Sequence, residues 1–346
     1  MQVHEDLSEE EVGVCDKISV VVPLFNRMDA FEKCVESLRA QTLGVDNVEL
    51  IVVDDCSTDG AAEYLRGLAG TVPNLRVITH STNSGLSAAR NSGIEAASGD
   101  VILFLDSDMA ACPTLLQQHL KAHAQRQDGR LAVVCNVTYP DKFIDGSNFS
   151  RFMQARELGF RSNSGRAGLD YNNLPYNFFA GGGTSVKREF VRQIGGFDSN
   201  FTTYGCEDEE FGWRLKRAGG TIAFLNSAVV YHHDIISMSR VKRKMMEAAS
   251  TSYKIIATSN PEQMAGTKVQ FTLPIKFGSD SAKTILVKLG LIMLLNRFSI
   301  FSLEMYLRKT DGIAAMYSER LLRALTAGWM VLAARGHKPS STGVWK

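Results

Sequence analysis

The chain has 346 residues, 45 % of them apolar and 22 % charged, enough for two structural units or one large domain with an appendage. This balance excludes a disordered chain, a collagen and a polytopic membrane protein. The net charge of +1 conceals a split. Residues 235–346 carry 17 Lys+Arg against 6 Asp+Glu, and the first 234 carry 21 against 31, so a basic tail follows an acidic front.

Met1 to Asp16 is acidic and polar, lacks an apolar core, and reads as a flexible N-terminus without the features of a signal peptide. Ile18 to Pro23 is a β-branched run ended by proline, the pattern of a buried parallel strand. Asp29 to Ala40 follows with helical spacing of Phe31, Val35 and Leu38, and Asp29 suits an N-cap. Strands are expected at Glu49–Val53, Leu75–Ile78 and Val101–Leu105, and helices at Ala61–Leu68, Leu86–Ala97 and Thr114–Gln125. This alternation means a parallel sheet covered by helices, with ligands at the carboxyl ends of the strands. The polar clusters Pro23–Arg27, Asp54–Asp59 and Asp106–Asp108 fall at those ends.

From Phe149 to Asn173 the pattern weakens and reads as a mobile active-site loop. After Asp234 the chain becomes helical and basic. The expected boundaries are 1–16 for the N-terminus, 17–235 for the α/β domain and 236–346 for a mainly helical C-terminal module. The uncharged run Leu289–Asn296 is far short of the ~20 residues of a spanning helix. Apolar and basic faces in the tail fit either a solvated helical bundle or peripheral attachment to an anionic membrane. No helix-turn-helix or aromatic-interleaved basic pattern supports nucleic-acid binding. Cys15, Cys34, Cys56, Cys112, Cys135 and Cys206 form no C-x-x-C and read as reduced thiols of a cytoplasmic protein.

Asp106-Ser107-Asp108 puts two acids two residues apart after an apolar strand. Such a pair is a common solvated turn. Beside Asp54-Asp55 at another strand end it becomes a place where a divalent cation could neutralise a diphosphate, with hard oxygen ligands suited to Mg²⁺ or Mn²⁺. Glu207-Asp208-Glu209-Glu210 opens a helix, and four successive acids exceed what capping the macrodipole requires. Gly181-Gly182-Gly183 allows close backbone approach or simply a turn. Trp213 suits an exposed stacking face or a place in the core.

Four ordered blocks carry a resemblance: Val20-Val21-Val22-Pro23-Leu24-Phe25-Asn26, Val52-Val53-Asp54-Asp55-Cys56-Ser57-Thr58-Asp59, Asn83 to Gly93, and Leu103-Phe104-Leu105-Asp106-Ser107-Asp108. The sequence resembles the family 2 glycosyltransferases. That implies an α/β GT-A (nucleotide-diphospho-sugar transferase) fold with a mostly parallel central sheet flanked by helices, here with the C-terminal helical module added. A further block, Phe179 to Gly182 through Gly195-Gly196-Phe197-Asp198 to Glu207-Asp208 and Trp213-Arg214-Leu215, is similar to the C-terminal half of galactosyltransferase and chondroitin-polymerase domains. The resemblance covers residues 17–235. It departs from the family at Cys56, where Gly or Ala is usual, a residue small enough to leave the reading intact.

The resemblance implies a metal-dependent transferase moving a hexose or N-acetylhexosamine from a UDP-sugar, with Mn²⁺ or Mg²⁺, to a glycan, lipid-linked saccharide or peptide side chain. Pro23, Phe25 and Arg27 would line the nucleotide base, Asp55 would bind uracil with Asp54 beside it, and Arg90 would reach the base or diphosphate. Asp106 and Ser107 would hold the ribose or sugar, with Gly181 and Gly182 close to the donor. Asp108 would hold the metal with one of the two adjacent histidines, His232 preferred over His233. Asp208 would be the general base of an inverting displacement, Glu207 would hold sugar or acceptor, and Trp213 would meet the acceptor. A retaining transferase of the same fold and a non-catalytic sugar-nucleotide-binding protein remain as alternatives.

Overall fold

The structure is a computed structural model that describes residues 17–126, 129–140, 146–153, 169–203, 205–234, 237–265, 267–278 and 280–336. The run Ile18–Leu24 forms β1, and all seven of its residues are buried. A strand buried along its whole length must be covered on both faces. It pairs in parallel with β2 (Val48–Asp54) on one side and β4 (Val101–Phe104) on the other. β3 (Leu75–Thr79) adds to β2, also in parallel.

Alternate residues of β1 feed two cores. Val20 and Val22 pack with Phe31 and Val35 of α1 (Met28–Arg39). Val21 points the other way, toward Ala89 and Ile94 of α3 (Leu86–Ala96). Gly93 permits this contact, since a Cβ there would lie 2.2 Å from Val21 Cγ1. The remaining helices of this half are α2 (Ala61–Leu68) and α4 (Leu115–Gln125). Asp29 does not cap α1; Arg27 occupies that position, and Asp29 lies in the first turn, where its charge still meets the positive helix end.

Beyond β4 the sheet stops being parallel. Its order is β3-β2-β1-β4-β7-β6-β8-β5. β7 (Thr184–Lys187) runs antiparallel between β4 and β6 (Leu131–Thr138). The long β8 (Thr221–His232) pairs in parallel with β6 and antiparallel with the short β5 (Met109–Ala111). This places the end of β8 beside the residues that follow β4. Helices α5 (Arg188–Gln193) and α6 (Glu207–Arg217) connect these strands.

After β8 the described chain is helical: α7 (Met238–Ser250), α8 (Ser252–Ser259), α9 (Pro261–Ala265), α10 (Ala282–Leu294), α11 (Arg297–Thr310) and α12 (Glu319–Ala334). Their core joins Met238, Met246, Ile300, Leu325 and Trp329 to Phe149, Phe152 and Met153. Residues 148–153 are therefore helical and, apart from Arg151, buried rather than the start of a loop. Most of the expected active-site loop, residues 154–168, lies outside the described residues, as do the N-terminal segment 1–16 and residues 337–346. Cys34, Cys56, Cys112, Cys135 and Cys206 are free thiols.

Candidate active site

The carboxyl ends of β1 and β2 are laced together by polar groups from their following turns. Asn26 Oδ1 accepts from the Thr58 amide at 2.8 Å, and Asp59 accepts from the Met28 amide at 2.8 Å. Asn26 and Cys56 both adopt positive φ, +50° and +66°. The left-handed backbone at Cys56 gives a physical reason for a glycine preference there. Pro23 is buried within β1, whereas Phe25 stands exposed just beyond it.

Asp54 and Asp55 are buried and engaged. Asp54 accepts from the Ser57 amide at 3.0 Å, as a turn-forming aspartate does. Asp55 accepts from the amides of Ser84 and Gly85, each at 2.8 Å, and meets His80 Nδ1 at 2.7 Å. The other ring nitrogen of His80 lies 2.9 Å from Ser92 Oγ. Asp55 thus ties the loop before α3 to the end of β2.

Arg90, on α3, is 1 % exposed and joins two distant parts of the chain. One nitrogen donates to Asp106 Oδ1 at 3.0 Å and another to Asp208 Oδ1 at 2.9 Å, with Glu207 Oε1 3.8 Å away. Its guanidinium also lies over the Phe197 ring, 5.0 Å from the centroid. A charge so buried is held by carboxylates, and the planar fork can serve two at once. Gly181 and Gly182 make room for the pair, since a Cβ at Gly181 would lie 2.4 Å from Arg90 Cζ and one at Gly182 2.5 Å from Asp106 Oδ2.

The acids opening α6 have divided environments. Asp208 is 27 % exposed on the side of the Arg90 bridge. Glu207 is buried, and its Oε2 has no hydrogen-bond partner. Burial first, and the Asp208 charge second, push the Glu207 carboxyl up to about 7 against the opposing pull of Arg90. Glu210 is not a solvent acid: it is buried and receives two hydrogen bonds from Arg214, at 2.6 and 2.7 Å.

The ends of β4 and β8 meet at a second cluster. Asp108, His232 and Asp234 offer ligand atoms that all lie within 4.8 Å of one another. His232 Nε2 is 3.2 Å from Asp108 Oδ1, and its Nδ1 is 2.7 Å from the Tyr139 hydroxyl. An imidazole oriented through its far nitrogen, beside two carboxylates, fits Mn²⁺ or Mg²⁺. Burial opposes ionisation of Asp108, but the hydrogen bond and charge of His232, with Arg27, hold its carboxyl well below the usual range. His233 meets Asp108 through the backbone, donating its amide to the Asp108 carbonyl at 2.7 Å. Arg27, expected at the nucleotide base, pairs with Asp108 at 3.2 Å and reaches Asp234 at 3.8 Å. Arg240 of α7 also pairs with Asp234, at 2.7 Å, so the basic module touches this cluster.

Ser107 is buried between the two aspartates of its motif. Trp213, one helical face away on α6, packs edge-on against Tyr176 with ring centroids 5.1 Å apart, and its indole nitrogen has no partner. The structure adds Asp234, Arg240, Tyr139 and His80 to the sequence-based set. Only Asp234 carried a local signal, the spacing Tyr-His-x-acid at the end of β8.

Comparison with known proteins agrees with this geometry. Residues 19–195 match glycosyl transferase family 2, and residues 167–239 match the N-terminal domain of galactosyltransferase. The chain is 29 % identical to the chondroitin synthase of Escherichia coli over 250 residues, which are 64 % of this chain and 35 % of that protein. It is 26 % identical to the glycosyltransferase YfnE of Bacillus subtilis over 261 residues, 63 % of this chain and 65 % of the other. The chain therefore spans about a third of the first relative's length and just under two thirds of the second's. Among solved structures, the mannosyltransferase PcManGT from Pyrobaculum calidifontis, in complex with GDP-Man and Mn²⁺, superposes with a TM-score of 0.57 over 94 % of this chain and 87 % of its own, at 15 % identity. Residues 1–349 of S. aureus TarS, in complex with UDP, give 0.51 over 92 % and 90 %, at 16 % identity. These two likenesses establish the GT-A-like fold, and with more than half of its length matched, the chain belongs to glycosyl transferase family 2.

Proposed function

We propose that the chain is an inverting glycosyltransferase that moves a hexose or N-acetylhexosamine from a UDP-sugar to a hydroxyl of a glycan, lipid-linked saccharide or peptide side chain. The observation that carries this reading is the Arg90 bridge, which holds Asp106 of the β4 motif and Asp208 of the α6 acid cluster on one guanidinium. The acid proposed for the donor side, Asp106, and the one proposed for the acceptor side, Asp208, thus share one cation. Asp108, His232 and Asp234 would hold Mn²⁺ or Mg²⁺, which when bound would stabilise the charge of a departing diphosphate.

Asp208 is partly exposed and so open to a bound acceptor. In the proposed step it takes the proton of the acceptor hydroxyl as that oxygen bonds to the anomeric carbon. The bond from that carbon to the diphosphate oxygen breaks on the opposite face, which inverts the anomer. Glu207, with an unpartnered buried oxygen, suits a hydrogen bond to a sugar hydroxyl. A complex of the structural neighbour TarS with UDP supports a uridine donor, while the GDP-Man complex of PcManGT keeps GDP-mannose in the test.

The test is a donor screen that measures nucleotide release with Mn²⁺, followed by mass spectrometry and anomer assignment of the product. Release of UDP and an inverted product are expected. Asp208→Asn should lower turnover by about 10²- to 10⁴-fold while UDP still binds in calorimetry. Normal turnover of that variant would remove Asp208 as the base, and a retained anomer would remove direct displacement.

A further inference from the structure

Helix α10 is inside out for a helix of a water-soluble bundle. Of its 13 residues the buried one is Lys288, which pairs with Asp280 at 2.7 Å and donates to the Pro274 carbonyl at 3.1 Å. Leu286, Val287, Leu289, Met293 and Leu294 are exposed, and its other apolar residues are not fully buried. Helix α11 continues after a 58° bend and buries only Ile300 and Leu307 of its 14 residues. Leu286, Met293, Leu294, Phe298 and Phe301 are each 65–81 % exposed. With Leu289 and Met305, also exposed, they recur every three to four residues, as Leu286, Leu289 and Met293 on α10 and Phe298, Phe301 and Met305 on α11, so each helix presents an apolar stripe to the outside. Contiguous exposed apolar surface of this kind marks a contact surface.

The charges around the stripe have one sign. Lys283 lies three residues before Leu286, Arg297 at the bend, and Lys309 near the end of α11, and all three are exposed. No ion pair involves these three among the described residues. The acids of the same region are already occupied. Asp280 belongs to Lys288, Glu304 to Lys242, Arg308 and the Trp329 indole, and Asp311 accepts from the Phe149 amide. Residues 235–346 as a whole carry 17 Lys+Arg against 6 Asp+Glu.

We propose that α10 and α11 form a docking surface for an anionic lipid bilayer, lying in its interface with the apolar stripes among the acyl chains and the cations at the headgroups. Neither helix is long enough to span: 13 or 14 residues rise roughly 20 Å, against an apolar core of about 30 Å. The cations at the ends and bend of the stripe stand where long basic side chains reach headgroups while their stems stay in apolar surroundings. A second copy of the chain fits less well. A two-fold interface sets the same patch against itself, and here that opposes two basic rims whose local acids are already paired.

The test is co-flotation of the full chain with vesicles, which needs neither donor nor metal and so stands apart from the proposed activity. Vesicles of phosphatidylcholine with an equal share of phosphatidylglycerol should bind at least about tenfold more tightly than phosphatidylcholine alone, since each cation at an anionic surface contributes ~1 kcal/mol. The double variant Leu294→Glu/Phe298→Glu should lose at least about tenfold in binding to the anionic vesicles, with its thermal unfolding unchanged because both residues face outward. Replacing Lys283, Arg297 and Lys309 by Gln should remove most of the lipid-charge preference and its salt dependence. Absence of binding to the anionic vesicles, or binding that the Glu double variant retains, overturns the proposal. So does a concentration-dependent dimer in sedimentation velocity that the double variant dissolves without any vesicle binding.

Discussion

Arg90 carries the heaviest electrostatic duty of any single residue in the site. Three carboxylates surround one buried guanidinium. Arg90→Lys keeps the charge but substitutes a compact ammonium for a planar fork, which cannot hold Asp106 and Asp208 in the same geometry. Turnover should fall about 10²-fold with a folded protein by circular dichroism; a variant as fast as the parent would show that the bridge does not position the acids. Arg90→Met should destabilise by roughly 3–5 kcal/mol, because it leaves the buried Glu207 and the partly buried Asp106 and Asp208 without their cation, and denaturant titration reads that directly. Glu207 has the opposite problem. Its folded-state carboxyl is raised to about 7 from an ordinary 4.5. Its contribution to stability is full below pH 4.5 and is lost as the pH rises through 7. Glu207→Gln removes that dependence, so the variant should gain thermal stability over the parent between pH 5 and 8; a gap constant with pH would contradict the burial argument. The acids themselves were legible in the sequence because they follow strand ends and open a helix. The role of Arg90 was not, because its partners lie 16 and 118 residues away. His80 and Tyr139 were equally silent, each defined by a contact across the fold.

At the scale of elements, β7 determines how the site closes. It enters the sheet antiparallel between β4 and β6, and brings Gly181 and Gly182 against Arg90 and Asp106 just before it begins. Gly181→Ala forces a methyl into the guanidinium, so loss of turnover by about tenfold or more is expected while UDP affinity changes little. Equal losses in both would place the glycine at the nucleotide instead. β7 also carries Ser185, whose hydroxyl lies 2.7 Å from His119 Nδ1 and 2.9 Å from His123 Nε2 of α4. Burial pushes both imidazoles down to about 3. The unfolded chain binds protons at an ordinary 6.5 and the folded chain does not, so stability is present above 6.5 and falls toward pH 3. Each histidine contributes about 1.4 kcal/mol per pH unit across that window. His119→Gln should flatten the acid limb of the melting temperature, and an unchanged limb would assign acid lability to other groups. The first four strands and helices could be read from apolar runs because parallel pairing and helix cover demand continuous hydrophobicity. The antiparallel insertion of β7 and the helical turn 148–153 could not. Four-residue strands carry little periodicity, and the turn is helical for reasons that lie in partners such as Met246 and Trp329, far along the chain.

For the molecule as a whole, the question is whether the basic helical module is an appendage or part of the catalytic unit. The sequence suggests an appendage, since charge and family resemblance both break near residue 235. The packing joins the two. Phe149 and Phe152, which lie between β6 and β7 in the chain, share one apolar core with Met238 and Met246 of α7, Ile300 of α11 and Trp329 of α12. The Phe149 and Trp329 rings stand 6.3 Å apart. Arg240 extends the connection in polar form by pairing with Asp234 of the candidate metal cluster. A core built from both sides cannot come apart without exposing buried aromatic surface on each, which couples the unfolding of one to the other. Calorimetry of the full chain should therefore give a single transition. Phe152→Ala, which removes a fully buried ring, should lower that transition as a whole, at a cost of about 3–5 kcal/mol. If the module were independent, the variant would instead split the trace, with the catalytic transition left in place. A chain ending at residue 234 would expose Phe149 and Phe152 and leave Asp234 without Arg240, so it should aggregate more readily than the full chain. It should also bind Mn²⁺ with altered affinity in calorimetry, and a soluble truncated protein with unchanged Mn²⁺ affinity would separate the module from the site.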